Sequence, residues 1–599
     1  MTNATSKPIA RRANSALRTR FAVVVIGAWL LAVECFPAVN LEISLRPTFA
    51  GQSLALNEPR YENSAVEKLS VSRVSFLVSG FALERADGSW LEFTNDFAWF
   101  DVEKNHLSHS LASIPLGEYR SVRFFIGLDE FTNTNNPAQY AADHPLNPNF
   151  TSLHWNWQGG YIFLAVEGMW SSTTTAPTGF SLHFARSPNR TRINLNAALY
   201  LTNNATLHLD FDLATLFNAP RPLSFARDGT ATHSRSNDPI AAKLAANLPG
   251  VFRVHKIETA ALTTAQVAPV RPLYLPEKFT PFPFQMSAFF PIPDLPRDNP
   301  LLAERVTLGE KLFREKILSK DNTLACASCH QTENAFADPR KYSVGVRAQV
   351  GTRNAMPLFN LAWKSLFFWD GRAPSLRAQA LLPIQDHTEM DETLANVCAK
   401  LAATNYPPLF AAAFGSPEIT SEKIGLAVES FVLSLTSFDS KFDRAMLGRE
   451  KLTELEQRGF ELFMTEYEPR TGNIGADCFH CHGGPLFTDN QFHNNGLNLV
   501  AADLGRFRVT QKEYDKGKFS TPSLRNVALT APYMHDGKFK TLEDVIAHYD
   551  HGLVRSPSLD PNLAKHPPEG LRLTQQDQDA LVAFLKTLTD EKFLTQPKP

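Results

Sequence analysis

Two short cysteine motifs constrain this chain more than any other feature of its sequence. Cys326-Ala-Ser-Cys329-His330 and Cys478-Phe-His-Cys481-His482 both have the form CxxCH. In this pattern the two thiols form thioethers with the vinyl groups of a haem, and the adjacent histidine is placed to bind its iron. A zinc site would need all four cysteines to converge and would leave both histidines without a role. The sequence therefore predicts two covalently bound haem c groups, with His330 and His482 as iron ligands.

Residues 1–39 have the pattern of an export signal. Four arginines between positions 11 and 20 precede an uncharged run from Phe21 to Val33, which is short for a membrane span. Glu34 stands where a lipid-attachment sequence has a small residue before its cysteine, so cleavage without lipid on Cys35 is favoured. An uncleaved anchor and a lipidated Cys35 stay open as alternatives. We expect a periplasmic protein, a location that also suits covalent haem attachment.

The rest of the chain divides into halves with different hydrophobic periods. At 599 residues the chain is too long for one compact core and should hold at least two domains. Residues 40–257 contain short runs of period two, such as the run from Leu207 to Leu213, which predict a mostly-β antiparallel sandwich or barrel. Residues 258–300 are rich in Pro and Phe and predict a linker that packs against a surface. Residues 301–599 have helical periodicity, which together with the motifs predicts a mostly-α dihaem cytochrome c fold.

Four further segments lie around the cysteine motifs in a fixed order. They are Arg353-Asn354-Ala355, Phe368-Trp369-Asp370-Gly371-Arg372-Ala373, Pro522-Ser523-Leu524-Arg525-Asn526 and Pro532-Tyr533-Met534-His535-Asp536-Gly537. With these segments, residues 300–595 resemble the bacterial dihaem cytochrome c peroxidase and MauG family, in which the first haem reacts with peroxide. The resemblance implies that Gln379, Pro383 and Glu389 line the distal pocket of that haem. Glu389 would be the acid/base residue that moves a proton between the peroxide oxygens.

The positions of the distal iron ligands distinguish the kinds of enzyme within this family. Many members block the first iron with a histidine at the position of Val346, and valine cannot bind iron, so we expect an open, five-coordinate first haem. Peroxidases of the family bind the second iron through a methionine fourteen residues beyond the histidine equivalent to His535. Here that position is Tyr549, as in MauG-like enzymes, and a phenolate favours oxidised iron. His548 and His551 are adjacent alternatives.

The same resemblance implies two features between the haems. Trp369 matches a tryptophan that lies between the haems in MauG and would relay electron holes. Asn354 and the backbone carbonyls of Thr530 and Pro532 would hold a calcium ion, a hard cation that prefers oxygen ligands.

Three stretches of the N-terminal half carry a second resemblance. Leu45-Arg46-Pro47-Thr48-Phe49-Ala50-Gly51-Gln52, Trp155-Asn156-Trp157-Gln158-Gly159-Gly160-Tyr161 and the run from Leu244 to Phe252 are similar to MbnP, a periplasmic copper-binding family. In that family a tryptophan is oxidised to kynurenine and lies at a copper site built from histidines. The oxidising enzyme, MbnH, is a MauG-like dihaem protein that is usually encoded separately, whereas both parts occur here on one chain.

The candidate residues for modification and for copper lie in this half. Trp155 and Trp157 are the candidates for oxidation, because they lie on one face of a strand or loop beside His154. Imidazole suits copper, and we select His106, His154 and His183 as candidate ligands.

Three functions are consistent with these patterns. The favoured one is a periplasmic dihaem oxidase that uses hydrogen peroxide to convert a tryptophan to kynurenine, in its own N-terminal domain or in a neighbouring copy. The alternatives are a cytochrome c peroxidase supplied by a small periplasmic electron-transfer protein, and a copper carrier whose haem domain acts once during maturation. A net charge of −2 gives no electrostatic basis for binding nucleic acid.

Overall fold

The computed structural model of the protein describes residues 38–155, 159–259, 272–469, 472–499 and 502–595. Positions 1–37 of the predicted signal and the modification candidate Trp157 therefore lie outside the described residues. Within the described ranges, no helix has both the length and the apolar character needed to cross a membrane.

The N-terminal half is a β-sandwich, as the period-two runs predict. Its strands are β1 (Ala38–Phe49), β2 (Gln52–Ser53), β3 (Tyr61–Glu62), β4 (Lys68–Arg85), β5 (Trp90–Asp101), β6 (Ser108–Pro115), β7 (Gly117–Ile126), β8 (Ile162–Ser171), β9 (Thr178–Ala185), β10 (Thr191–Leu201), β11 (Ala205–Asp212), β12 (Ala231–Thr232) and β13 (Phe252–Thr259). Short helices connect them: α1 (Glu130–Thr134), α2 (Pro148–Thr151), α3 (Leu213–Asn218), α4 (Phe225–Asp228) and α5 (Pro239–Asn247). In β10 buried and exposed residues alternate at every position, because one face of the strand meets the core.

The strands form two sheets that pack face to face. One sheet has the order β13-β11-β1-β2, with β6 also paired to β1, and the other has the order β10-β7-β4-β8-β9-β12, with β3 and β5 also paired to β4. Phe76 of β4 stacks on Phe211 of β11 across the core, with ring centroids 5.1 Å apart. The pairs β1–β11 and β9–β12 are parallel, unlike the predicted antiparallel order. Each of these pairs joins segments distant in sequence, and parallel neighbours require such crossovers where antiparallel hairpins do not.

The C-terminal half is mostly helical, as predicted. Its helices are α6 (Ala303–Phe313), α7 (Leu376–Gln385), α8 (Leu394–Ala402), α9 (Tyr406–Phe414), α10 (Ser421–Ser434), α11 (Lys441–Met446), α12 (Glu454–Phe463), α13 (Phe479–His482), α14 (Phe507–Thr510), α15 (Leu542–His551), α16 (Pro561–Ala564), α17 (Gln575–Lys586) and α18 (Lys592–Thr595). Two small hairpins join β14 (Tyr467–Glu468) to β15 (Asn473–Ile474) and β16 (Phe492–His493) to β17 (Phe519–Ser520). Threonines 453, 541 and 574 cap α12, α15 and α17, each accepting the N–H of the third helical residue.

The described part of the Pro- and Phe-rich segment packs along the helical half. Phe290 is fully buried and meets Trp363 edge-on, with ring centroids 5.2 Å apart. The indole N–H of Trp363 donates to the carbonyl of Pro291 over 2.6 Å. Asn147 of the β-sandwich donates to the carbonyl of Ile292 over 3.0 Å, so this segment contacts both halves.

Candidate functional site

The first cysteine motif opens onto a large cavity of about 530 Å³. Cys326, Cys329 and His330 line it together with all three residues predicted for the distal pocket, Gln379, Pro383 and Glu389. Gln379 and Pro383 are four residues apart on α7 and so present the same face of that helix to the cavity. The residues of the motif and those predicted for the distal pocket thus share one space.

Both motifs adopt the same backbone turn. The N–H of His330 donates to the carbonyl of Cys326 over 2.9 Å, and that of His482 donates to the carbonyl of Cys478 over 3.0 Å. The Nδ1 atom of each histidine lies within hydrogen-bond distance of a backbone carbonyl, that of Phe336 at 2.8 Å for His330 and that of Phe487 at 3.1 Å for His482.

These contacts fit haem ligation by both histidines. A carbonyl partner assigns the proton to Nδ1 and leaves Nε2 for a metal, which is the usual arrangement of a metal-binding imidazole. Burial lowers the pKa of His330 and of His482, which favours the neutral form that binds iron. The residues present therefore fit one haem c at each motif.

The loop that carries Glu389 packs closely against the loop that carries Val346. The N–H of Val346 donates to the carbonyl of Glu389 over 2.8 Å, and a Cβ atom at Gly345 would lie only 2.0 Å from the carbonyl oxygen of Thr388. Burial, reinforced by the charge of Asp386, raises the pKa of Glu389 to about 7. This carboxyl can therefore both accept and donate a proton near neutral pH.

Tyr549 lies beside the second motif. Burial raises the pKa of its phenol to about 12, and the neighbouring thiols of Cys481 and Cys478 contribute in the same direction. The Nδ2 atom of Asn495 lies 3.4 Å from the Tyr549 hydroxyl and 3.2 Å from the sulfur of Met534. The Tyr549 hydroxyl and the Met534 sulfur therefore contact the same Asn495 amide. Met534 is thus a second candidate ligand for the second iron, and it was not predicted from the sequence.

The two histidines adjacent to Tyr549 have other partners. The Nε2 atom of His548 lies 2.9 Å from the carbonyl of Asn495, and His551 is exposed beside Asp550 at 3.0 Å.

Trp369 and Asn354 lie together at the edge of the first cavity. The indole N–H of Trp369 donates to the carbonyl of Asn354 over 2.8 Å, and both residues line the cavity. The N–H of Asn354 donates over 2.8 Å to the carbonyl of His535, three residues after Pro532. The hydroxyl of Thr530 donates to the carbonyl of Val527 over 3.2 Å. The backbone carbonyl of Thr530 takes no part in that hydrogen bond.

Three histidines from distant segments meet where the two halves of the chain touch. They are His183 of β9, His233 just after β12, and His480 of α13, which lies between the two cysteines of the second motif. One potential ligand atom from each lies within 4.8 Å of the others. The ring of Trp155 is adjacent, with centroid distances of 5.0 Å to His233 and 6.0 Å to His183. We call His183, His233 and His480 the interdomain histidine cluster.

Charged groups surround the cluster on its C-terminal side. The Oε2 atom of Glu466 lies 3.0 Å from Nε2 of His233 and 3.0 Å from Nε2 of His480. The ammonium of Lys565 contacts Glu466 and lies 3.1 Å from Asp477. Although burial opposes a positive charge, these two carboxylates raise the pKa of Lys565 and keep it protonated.

Comparison with known proteins agrees with this geometry. Residues 303–451 match the model of the di-haem cytochrome c peroxidases, and residues 457–589 match the cytochrome c model. The methylamine utilization protein MauG of Methylophilus methylotrophus is 35% identical over 300 residues, which cover 49% of this chain and 84% of that protein. The chain belongs to the dihaem cytochrome c peroxidase family. Cytochrome c551 peroxidase of Pseudomonas aeruginosa is 33% identical over 324 residues, covering 51% of this chain and 86% of that protein.

The N-terminal half of this dihaem peroxidase family member matches a different model. Residues 38–234 match MbnP. Among solved structures, a MauG-like protein associated with microbial copper homeostasis is 36% identical, with a TM-score of 0.47, and the match covers 53% of this chain and 98% of that one. MbnP from Methylosinus trichosporium is 16% identical, with a TM-score of 0.28, and the match covers 38% of this chain and 100% of that one. The family models and the curated relatives identify the chain as a dihaem oxidoreductase with an MbnP domain.

The predicted copper ligands of the MbnP domain lie in different places. His183 belongs to the interdomain histidine cluster, and His154 lines the same small cavity as Trp155, His183 and His480. His106 instead lies beside Trp99, with ring centroids 4.8 Å apart. His233 and His480 were not among the copper ligands predicted from the sequence. The feature of the sequence that could have pointed to His480 is that a histidine occupies one of the two variable positions of the second CxxCH motif.

The MbnP domain and the haem domain pack tightly against each other at β9. A Cβ atom at Gly179 would lie 1.8 Å from the carbonyl oxygen of Pro561 in α16. The amide of Asn562 donates to Glu167 over 3.3 Å, and the hydroxyl of Ser152 donates to the carbonyl of Asp489 over 3.1 Å. Residues from both domains therefore fix the position of the histidine cluster.

Substitution of Gly179 by alanine tests this docking. The added methyl has no room beside the Pro561 carbonyl, and overpacking of this kind costs about 1–3 kcal/mol. We expect G179A to lower the thermal midpoint and to speed proteolysis between residues 258 and 300. The control is G250A, since the nearest atom to its new methyl is Thr215 Cγ2 at 3.3 Å. Equal stability and protease resistance of the two variants would contradict the close contact.

Proposed function

We propose that this protein uses hydrogen peroxide to oxidise Trp155 of its own MbnP domain to kynurenine, at a site that binds copper. The observation that carries the proposal is the position of Trp155. Its side chain is 8% exposed and packs against two histidines, and one of these contacts the turn that holds the second haem.

A continuous row of aromatic rings joins that turn to Trp155. The ring of Phe479, adjacent to Cys478, lies 5.6 Å from the ring of His233, which in turn lies 5.0 Å from Trp155. A short row of rings supports transfer of electrons from Trp155 towards the second haem within one chain. Tethering the substrate to the enzyme also raises its effective concentration.

The residues of the first cavity support the reaction with peroxide. The haems, when bound, would supply the redox chemistry that draws oxidising equivalents from peroxide. In our proposal Glu389 accepts a proton from the bound peroxide and returns it to the departing oxygen, while Gln379 and Pro383 shape the pocket. Val346 would leave the distal side of the first haem without a protein ligand, and Trp369 would relay electrons between the two haems.

The overall oxidation balances with two molecules of peroxide. Tryptophan and two hydrogen peroxide molecules give N-formylkynurenine and two water molecules, and the bond between C2 and C3 of the indole breaks. Water then removes the formyl group as formate and leaves kynurenine. Each peroxide is reduced by two electrons, and the indole loses four in total.

Metal ions and location complete the proposal. His183 and His233 would hold copper beside Trp155, since imidazole is a suitable copper ligand. Asn354, with the carbonyls of Thr530 and Pro532, would hold calcium near the haems. The basic and apolar N-terminal segment supports export to the periplasm.

Intact mass spectrometry of the purified holoprotein tests the proposal. We expect peroxide to add two oxygen atoms to the wild-type chain, followed by loss of the elements of CO, and peptide mapping to locate the change at Trp155. W155F should show no such change. The control is W170F, because Trp170 is also buried in the MbnP domain but stacks on Phe225. An unaltered mass change in W155F would refute the choice of residue.

A mixture of two inactive variants separates reaction within a chain from reaction between chains. E389Q keeps Trp155 but should react with peroxide too slowly to modify it within the assay, whereas W155F keeps the haem pocket but lacks the substrate. Reaction within one chain predicts no modified product in the mixture. Modification of the E389Q chain by W155F would show that neighbouring copies act on each other.

Peroxide reduction with an external electron donor is the second candidate function. It is favoured by the sulfur of Met534, which meets the same Asn495 amide as the Tyr549 hydroxyl, because a sulfur ligand suits a haem that passes electrons on. Sustained turnover of a reduced small cytochrome, with no change in protein mass, would support this function.

A further inference from the structure

We propose that the haem domain completes the copper site of the MbnP domain, with His480 joining His183 and His233 as a third imidazole ligand. This inference rests on the copper site of the proposed function but not on oxidation of Trp155. Its consequence is that one copper ion bridges the two domains and lies next to the attachment turn of the second haem.

The three imidazoles already converge without an ion. Their rings lie 5.3 to 5.4 Å apart, centroid to centroid, in all three pairings. In a tetrahedral or trigonal site, ligands at about 2.0–2.1 Å from one ion lie roughly 3.5 Å from each other, so the rings would need to close inward from the present spacing of at most 4.8 Å. His183 and His233 are 3% and 6% exposed, which shields the ion from water.

An unsatisfied nitrogen points to a ligand at this place. The Nδ1 atom of His183 is buried and has no hydrogen-bond partner within the described residues, an arrangement that costs free energy unless a ligand binds there. The Nε2 atom of the same ring lies 3.0 Å from Glu167, which forms a 2.8 Å ion pair with Arg73. A carboxylate on one nitrogen that orients the other nitrogen is the usual second shell of a metal-binding histidine.

The neighbouring carboxylates have their own cation. Glu466 and Asp477 share the buried ammonium of Lys565, which compensates part of their negative charge. The Nε2 atom of His233 lies 3.0 Å from Glu466 but is not aligned for a hydrogen bond, so it remains available to an ion. The Nε2 atom of His480 lies 3.0 Å from Glu466 and 3.1 Å from the Lys565 ammonium, so an ion among the three imidazoles would displace these contacts or bind the other nitrogen of that ring.

The placement of His480 links copper to the haem domain. His480 occupies a variable position between Cys478 and Cys481, so substitution there leaves both cysteines and His482 of the motif in place. Because ligands come from both domains, the ion should bind more tightly to the docked arrangement and stabilise it in return. An isolated MbnP domain would lack this third ligand.

Copper binding to the full-length holoprotein tests the inference. Copper(II) sulfate is titrated into wild type, H480Q, H183Q and H208Q, and bound copper is measured after dialysis. Haem absorbance first establishes that both haems are attached. We expect one copper per wild-type chain. The copper affinity of H480Q should be lower by at least about 100-fold, because loss of an outer-shell partner alone already costs up to about 100-fold. H208Q is the matched control, because His208 lies on the other sheet beside Glu258.

A second measurement counts the imidazole ligands of copper directly. Electron paramagnetic resonance of the copper(II) form should show coupling to three imidazole nitrogens in wild type and to two in H480Q. Two imidazoles in wild type, or equal affinity of H480Q and H208Q with both haems attached, would overturn the inference. Mass analysis of Trp155 in the same samples keeps the two proposals separate, since either result can fail while the other holds.

Discussion

Replacement of Glu389 by glutamine is expected to slow the reaction of the holoprotein with hydrogen peroxide by about 10²–10⁴-fold, the range contributed by a positioned acid/base group. Glutamine keeps the size of the side chain in the cavity but can neither take up nor release the proton. Stopped-flow recording of the haem absorbance after mixing with peroxide measures this rate. E333Q is the control, because Glu333 is an exposed glutamate three residues after His330.

The pH dependence of the same rate gives an independent check. Burial and the charge of Asp386 raise the pKa of Glu389 to about 7, so the carboxyl is mostly protonated below that pH and mostly ionised above it. The ionised form is the one that accepts a proton from peroxide. The wild-type rate should therefore rise with pH through about 7 and then level off, and E389Q should lack this step. An E389Q rate equal to that of E333Q would exclude Glu389 from the proton transfer.

Features carried by short, continuous patterns could be predicted from the sequence. The two CxxCH motifs place His330 and His482 in matching turns, and the family resemblance places Gln379, Pro383 and Glu389 around the same cavity as His330. Alternation of apolar residues predicts the sandwich strands, because each strand buries one face. These features depend on residues near each other in the chain or on a family pattern with fixed spacing.

Features that depend on distant segments could not be predicted in the same way. Parallel pairing of β1 with β11 joins residues more than 150 positions apart, and alternation is the same for parallel and antiparallel neighbours. The interdomain histidine cluster draws His183, His233 and His480 from three segments, and nothing local marks them as partners. Met534 was also missed, because only folding brings its sulfur to the Asn495 amide.

Substitution of Tyr549 by phenylalanine is expected to abolish oxidation of Trp155 while the first haem still reacts with peroxide. The change removes only the hydroxyl that would bind the second iron, and the cavity of the first haem does not include this residue. Stopped-flow absorbance should show a peroxide reaction close to wild type, and intact mass should show no added oxygen. Y533F is the control, because the Tyr533 hydroxyl donates to the Val527 carbonyl over 3.1 Å.

The variant M534L distinguishes the two candidate ligands of the second iron. Leucine conserves the volume of methionine but removes the sulfur, so a change in the second-haem spectrum would identify Met534 as the ligand. We expect that spectrum to change in Y549F and to stay unchanged in M534L. The opposite pattern would give the second haem a sulfur ligand, which stabilises reduced iron. Trp155 would then lose the strongly oxidising partner that its conversion needs, and peroxide reduction with an external donor would become the function that the site supports.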